Sequence, residues 1–202
     1  MQRKGWESAY LRMTLAGGLA TENLALHIGQ RMRWARGMVQ IFRVDNPLLG
    51  RGLTLGQRLC YLSAILHFFF PVPRLVFLIA PLSFLFFGQN IIYTTPLAVM
   101  TYAIPHLIQS FMTQSRVQGR WRYSIWNYVY ETAIAIFLAP VVLKTLFFPE
   151  GGSFNVTAKG GLITHNYLDT KIITPNMIVV VLLILASIVG CVGMIVNHGN
   201  SD

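Results

Sequence analysis

The chain has 202 residues, the length of one ordinary domain. It is 54% hydrophobic and 11% charged, with a mean hydropathy of +0.53. A typical soluble domain carries about 25% charged residues, so the composition argues against a soluble globule and for the membrane. The formal net charge is +9, and nine of the sixteen Lys and Arg fall between Arg3 and Arg58, opposed there by Glu7, Glu22 and Asp45 alone.

A basic stretch flanking apolar spans belongs on the cytosolic side, near anionic headgroups or an anionic substrate. Cys60 and Cys191 lie far apart in apolar runs, and the five His show no ligand spacing. Neither a disulfide framework nor a metal site is expected within the chain, nor a nucleic acid partner.

The opening "MQRKGWESAYLRM" lacks the apolar core of a signal peptide. Residues 8–13 read as a strand, and a lone strand is not stable by itself. Residues 1–20 are therefore expected to be the tail of a larger α/β domain, and the chain a fragment or a shortened gene product. From Thr21, as cap, a helix is expected to begin near Glu22. Leu24, Ile28, Met32, Ala35, Met38, Val39 and Phe42 recur at helical spacing, with Arg33 and Arg36 on the polar side. Such a helix suits a bilayer surface, and the Asp45-Asn46-Pro47 turn ends it. Residues 21–58 form this helix and its basic linker.

Residues 59–112 are expected to cross twice. The first crossing, 59–87, is broken by Pro71, Pro73, Arg74 and Pro81; the second is 91–112. Over residues 113–149, a cytosolic loop leads into a second interfacial helix at 123–148, because Glu131 and Lys144 are costly in a bilayer. Residues 150–172 form a loop, and residues 173–202 hold the third crossing, at 176–196, and the outer end. The loop at 88–96 has no charge and faces outward, whereas 115–122 carries three Arg and faces inward. The expected architecture is a mainly α-helical integral membrane protein with three transmembrane and two amphipathic interfacial helices, and a short remnant of a larger α/β domain at its start.

On the first helix Gln30, Arg33 and Trp34 stand at i, i+3 and i+4 and share a face. A planar guanidinium pairs with phosphate oxygens, and an indole offers a flat apolar face to a sugar ring. The same residues also fit an interfacial helix with a snorkelling Arg and a Trp at headgroup level. Further on, "FNVTAKGG" is a polar loop bracketed by Gly151-Gly152 and Gly160-Gly161, in which Lys159 and Thr157 can reach a diphosphate. It also reads as a plain flexible connector.

"QRMRW" resembles the Q-x-x-R-W motif of processive, membrane-embedded family 2 glycosyltransferases, and "FNVTAK" resembles the gating loop of bacterial cellulose synthase catalytic subunits. "GLATENLALHIGQRMRWARGM" and "QRLCY" are similar to the same family, so the likeness runs over nearly the whole chain. The first motif alone also fits hyaluronan or chitin synthases; the second narrows it to cellulose synthase. The resemblance implies that Trp34 stacks on the acceptor glucan, Arg33 contacts the UDP diphosphate and Gln30 helps place both. It implies that Phe154, Val156, Thr157 and Lys159 close over UDP-glucose, with Glu22 as a resting tether for that loop. Phe68, Phe69 and Phe84 are candidates for the glucan channel. The implied enzyme polymerises UDP-glucose into β-1,4-glucan and moves it across the inner membrane, with N-terminus cytosolic and C-terminus periplasmic. Mg²⁺ and the catalytic base belong to motifs not found in this sequence, and cyclic di-GMP activates through a domain also not found here. The expected partners are UDP-glucose, the growing glucan, membrane lipid and a periplasmic synthase subunit. The chain is expected to be inactive alone. A non-enzymatic membrane protein with a lipid-binding basic helix is the rival from another class.

Overall fold

Three of the helices begin at a residue whose side chain satisfies the otherwise open first turn. Helix α1, Leu24–Val44, is capped by Asn23, whose side chain accepts from the Leu26 amide at 2.8 Å. Helix α2, Leu55–His67, opens on a capping box: the Gln57 amide donates to Thr54 Oγ1, and Gln57 Oε1 accepts from the Thr54 amide. Helix α3 is Pro71–Phe87, and α4, Pro96–Gln118, has Thr95 as cap with Pro96 in its first turn. Helices α5, Ser124–Phe147, and α6, Thr170–Gly199, complete the chain. This computed structural model describes residues 1–11, 13–88, 94–119, 123–151 and 168–199.

The described residues are mainly helical and contain no strand. The strand expected over 8–13 is corrected: residues 6–11 carry no regular structure, and no second strand is at hand to satisfy their backbone groups. The cap of α1 is Asn23 rather than Thr21, so the helix starts two residues later than its acidic approach suggested.

The chain divides into two compact units, Met1–Pro73 with Ile134–Thr174, and Arg74–Ala133 with Pro175–Asp202. In the first, the core joins Ile28, Ala35 and Val39 of α1 to Ile134, Leu138 and Val142 of α5 and Ile172 of α6. Phe68, Phe69 and Phe70, the break between α2 and α3, pack against this cluster, and the Phe69 ring meets Phe42 edge-on at 5.7 Å.

A latch holds the N-terminal end of the first unit. A short 3₁₀ turn, Gln2–Lys4, lays Arg3 on the turn that follows α1. The Arg3 guanidinium pairs with Asp45 and donates to the Asp45 and Asn46 carbonyls at 3.2 Å. Asp45 is 71% exposed, so the ion pair itself contributes little. Arg58 organises the same turn by donating to the carbonyls of Leu48, Gly50 and Leu53. Gly52 has φ +88°, and a Cβ there would stand 2.4 Å from the Arg3 carbonyl oxygen. Gly52→Ala is therefore expected to cost about 1–3 kcal/mol from backbone strain alone and to open the latch. Tryptic cleavage at Lys4 should then rise by about tenfold, the factor that corresponds to 1.4 kcal/mol; an unchanged rate counts against the latch.

In the second unit an ionic network ties α3 to α5. Arg74 Nη2 lies 2.7 Å from Glu131 Oε2, and its Nη1 donates to Thr132 Oγ1 at 3.0 Å. Asn127 donates to Glu131 Oε1 at 2.9 Å, and the Arg74 guanidinium lies 5.4 Å from the centre of the Tyr128 ring. Helix α6 approaches α3 closely at Gly190, where a Cβ would meet Leu85 Cδ2 at 2.6 Å; small residues allow such approaches between apolar helices.

Ile125–Phe147 and Thr170–Gly193 are long and apolar enough to cross a membrane, and α2 with α3 makes a third if the broken pair is one crossing. This differs from expectation at two helices. Helix α4, in the region expected to be the second crossing, falls short of that apolarity within its described residues, because His106, Gln109 and Gln114 interrupt it. Helix α5, expected at the interface, meets the test. Glu131 there is paired rather than isolated, and Lys144 sits in the last turn, where an amine can reach headgroups.

Candidate functional site

Burial of Ile28, Ala35 and Val39 sets the rotation of α1. With 3.6 residues per turn, Gln30 and Arg33 then fall on the face away from the core, with Trp34 beside them toward one flank and Arg36 on the other. Trp34 is 49% exposed, while Gln30 and Arg33 are half-buried. The Arg31 guanidinium lies 5.5 Å from the centre of the Trp34 ring, a cation–π arrangement that steadies the indole. The structure thus keeps the three motif residues together, with the indole available to a planar partner.

The flank of α1 carries a second feature. Gln40 Nε2 donates to the Pro149 carbonyl at 2.7 Å. Beside it, Arg36 lines a cavity of about 200 Å³ with Pro140, Lys144, Thr145, Phe148 and Gly151. The chain leaving α5 is thereby seated on the motif helix just before residue 152. Ile172, four residues beyond the described resumption at Leu168, belongs to the core under α1. Phe154, Val156, Thr157 and Lys159 lie outside the described residues.

Glu22 lies one residue before the α1 cap. Of the channel candidates, Phe68 and Phe69 pack against the core of the first unit, whereas Phe84, in the second unit, is 43% exposed. Sequence reasoning missed a polar groove of about 480 Å³ in the second unit, lined by His106, Gln109, Ser110, Thr113, Gln114 and Tyr128. Its signal was present: the five α4 residues recur at i, i+3, i+4, i+7 and i+8 within an otherwise apolar helix. Gln114 Nε2 donates to the Tyr128 hydroxyl at 3.4 Å, and the buried Gln114 Oε1 has no hydrogen-bond partner among the described residues. Gln40 was also missed; no periodicity marks a side chain whose partner is a backbone carbonyl far along the chain. Among the described residues no three His, Cys, Asp or Glu side chains gather. They offer no donor set that fits Mg²⁺.

The family model for cellulose synthase matches residues 1–201. The chain is 57% identical over 198 residues to "Cellulose synthase 1 catalytic subunit [UDP-forming]" of Komagataeibacter xylinus, covering 98% of this chain and 27% of that protein. It is 59% identical over 194 residues to "Cellulose synthase 2" of Novacetimonas hansenii, covering 96% of this chain and 12% of the relative. To the "Cellulose synthase catalytic subunit [UDP-forming]" of Pseudomonas fluorescens (strain SBW25) it is 53% identical over 178 residues, 88% of this chain and 24% of the relative. The chain thus spans about a quarter or less of the length of these relatives. With the motif helix, its flanking seat and apolar helices in one chain, the match over nearly every residue settles the family: the chain belongs to the cellulose synthases.

Proposed function

We propose that this chain supplies the acceptor side, the gating loop and part of the membrane path of a processive glycosyltransferase. The complete enzyme transfers glucose from UDP-glucose to the 4-hydroxyl of a growing β-1,4-glucan and exports the polymer across the inner membrane. The observation that carries this reading is the seating of the loop's first root on α1. Gln40 holds the Pro149 carbonyl, and Arg36 borders Gly151, on the helix that presents Gln30, Arg33 and Trp34. A loop rooted there can close over a nucleotide held at the Arg33 flank.

In this reading Trp34 stacks on the terminal sugar, Arg33 meets the diphosphate as a planar fork, and Gln30 orients the acceptor. Lys159 and Thr157 complete the diphosphate contacts when the loop closes, and Phe154 and Val156 shield the site from water. Glu22, near the start of α1, tethers the open loop. Phe84 keeps an exposed ring for the glucan path, while Phe68 and Phe69 are occupied in the core. The polar groove on α4, with its unpartnered Gln114 oxygen, suits a hydroxyl-rich polymer. The base, Mg²⁺, the cyclic di-GMP response and a periplasmic subunit belong to the rest of the assembly. The N-terminus is assigned to the cytosol, as the basic residues before 59 suggest, and three crossings carry the C-terminus to the periplasm.

The test is radiolabelled glucose incorporation in membrane vesicles carrying the full-length enzyme with Lys159→Ala or Thr157→Ala, at matched protein level. Incorporation is expected to fall at least tenfold, about 1.4 kcal/mol in barrier. A fall of less than about twofold, or about 0.4 kcal/mol, reduces the loop to a connector.

A further inference from the structure

The end of α4 and the start of α5, both in the second unit, enclose an open groove of about 740 Å³. Phe111, Met112, Ile125 and Trp126 form its apolar lining, and Arg116 and Tyr123 stand at the same site. Ile125 is 65% exposed and Trp126 62%, so the lining is open to an occupant. Arg116 stands in the last turn of α4 and makes no ion pair among the described residues. The groove is therefore amphipathic in a specific sense. It combines apolar walls with a guanidinium, a phenol hydroxyl and an indole N–H, at a point where two helices end together.

We propose that this groove binds an anionic glycerophospholipid, with the headgroup phosphate on Arg116 and an acyl chain along Phe111, Met112 and Ile125. Charge complementarity selects the occupant. A fixed cation beside apolar walls disfavours a purely hydrocarbon occupant, and the walls disfavour free phosphate. A phospholipid satisfies both parts at once. Tyr and Trp place their rings at headgroup depth, which sets the level of the bilayer surface at Tyr123 and Trp126. Basic pockets between membrane helices hold anionic headgroups by the same physics, and the sequence adds Arg120 and Arg122 to the connection. The inference needs the end of α4 and the start of α5 to meet the bilayer surface and does not rest on glucan synthesis.

The experiment uses the full-length protein in phosphatidylcholine nanodiscs containing phosphatidylglycerol with a photoactivatable acyl chain, followed by peptide mapping. Labelling is expected within residues 111–126. It should fall about fivefold in Arg116→Gln, the worth of one cation near a membrane surface, and recover in Arg116→Lys. Met112→Trp, which fills the apolar end while keeping the cation, should also lower it. Arg116 and Met112 are exposed, so neither change threatens folding. Equal labelling from phosphatidylcholine carrying the same chain, indifference to Arg116→Gln, or no labelling of the groove because protein covers it would each overturn the proposal. No readout depends on turnover, so failure here is distinct from failure of the glucan synthase reading.

Discussion

Trp34→Ala in the complete synthase is expected to lower glucan formation at least a hundredfold, about 2.7 kcal/mol in barrier, while Trp34→Phe stays within about tenfold of wild type. Stacking needs a flat aromatic face, which Phe partly retains and Ala loses. The size of the effect comes from positioning: an acceptor hydroxyl displaced by about 1 Å can cost about 10²-fold. Trp34 lies outside the α1 core and is 49% exposed, so the Ala variant removes no core packing and the enzyme should reach the membrane normally. Its contact with Arg31 does not offer an alternative origin for so large a loss, because an exposed cation–π pair is worth about 0.5–1 kcal/mol. Glucose incorporation at matched protein level decides the matter. Normal polymerisation by the Ala variant would make Trp34 an interfacial anchor and remove the acceptor site from α1.

The largest stability effect is expected at Arg74 and Glu131. Their side chains are 23% and 16% exposed, and each sits in an otherwise apolar helical setting. Removing one partner leaves the other charge uncompensated, at a cost of about 3–5 kcal/mol. Arg74→Met and Glu131→Leu should each lower the thermal midpoint of the detergent-purified protein substantially. The double variant should lie closer to wild type than either single one, because replacing a buried pair with apolar groups of similar volume is often nearly neutral. Asn127 and Thr132 lose a partner in the double variant, which keeps its recovery incomplete. The double-mutant cycle separates the cases: additive losses, with the double variant lowest, would show that the two charges do not stabilise each other.

Much of the architecture is legible in the sequence because it is local physics. The spacing of Ile28, Met32, Ala35 and Val39 marks α1 and its buried face, and the Phe-rich run closed by Pro71 marks the break between α2 and α3. Thr54 with Gln57 and Thr95 with Pro96 set two further helix starts by cap chemistry, at 55 and 96, where the apolar runs had suggested 59 and 91. The motif triplet at i, i+3 and i+4 needs no tertiary information to share a face. Where local reading failed, a partner distant in sequence was the cause. The strand expected over 8–13 had the composition of a strand but finds no strand to pair with among the described residues, and the segment before it is held by Arg3 on the turn after α1.

Helix α5 shows the same limit in its energetics. Taken alone, Glu131 is an uncompensated desolvation cost that argues for an interfacial helix; with Arg74 at 2.7 Å it is half of an ion pair, and 125–147 is long and apolar enough to cross a membrane. Residues 74 and 131 are 57 positions apart, and no periodicity connects them. The seat of the loop root is likewise tertiary, since Gln40 and Pro149 are 109 positions apart and one partner is a backbone carbonyl. The sequence by itself determined the helical segments, the buried face of α1 and the family motifs, because caps, periodicity and side-chain chemistry act over one or two turns. Only the tertiary structure decided which charges are neutralised, which face of α1 remains open and where the loop is rooted, because those depend on long-range partners whose identity local patterns do not encode.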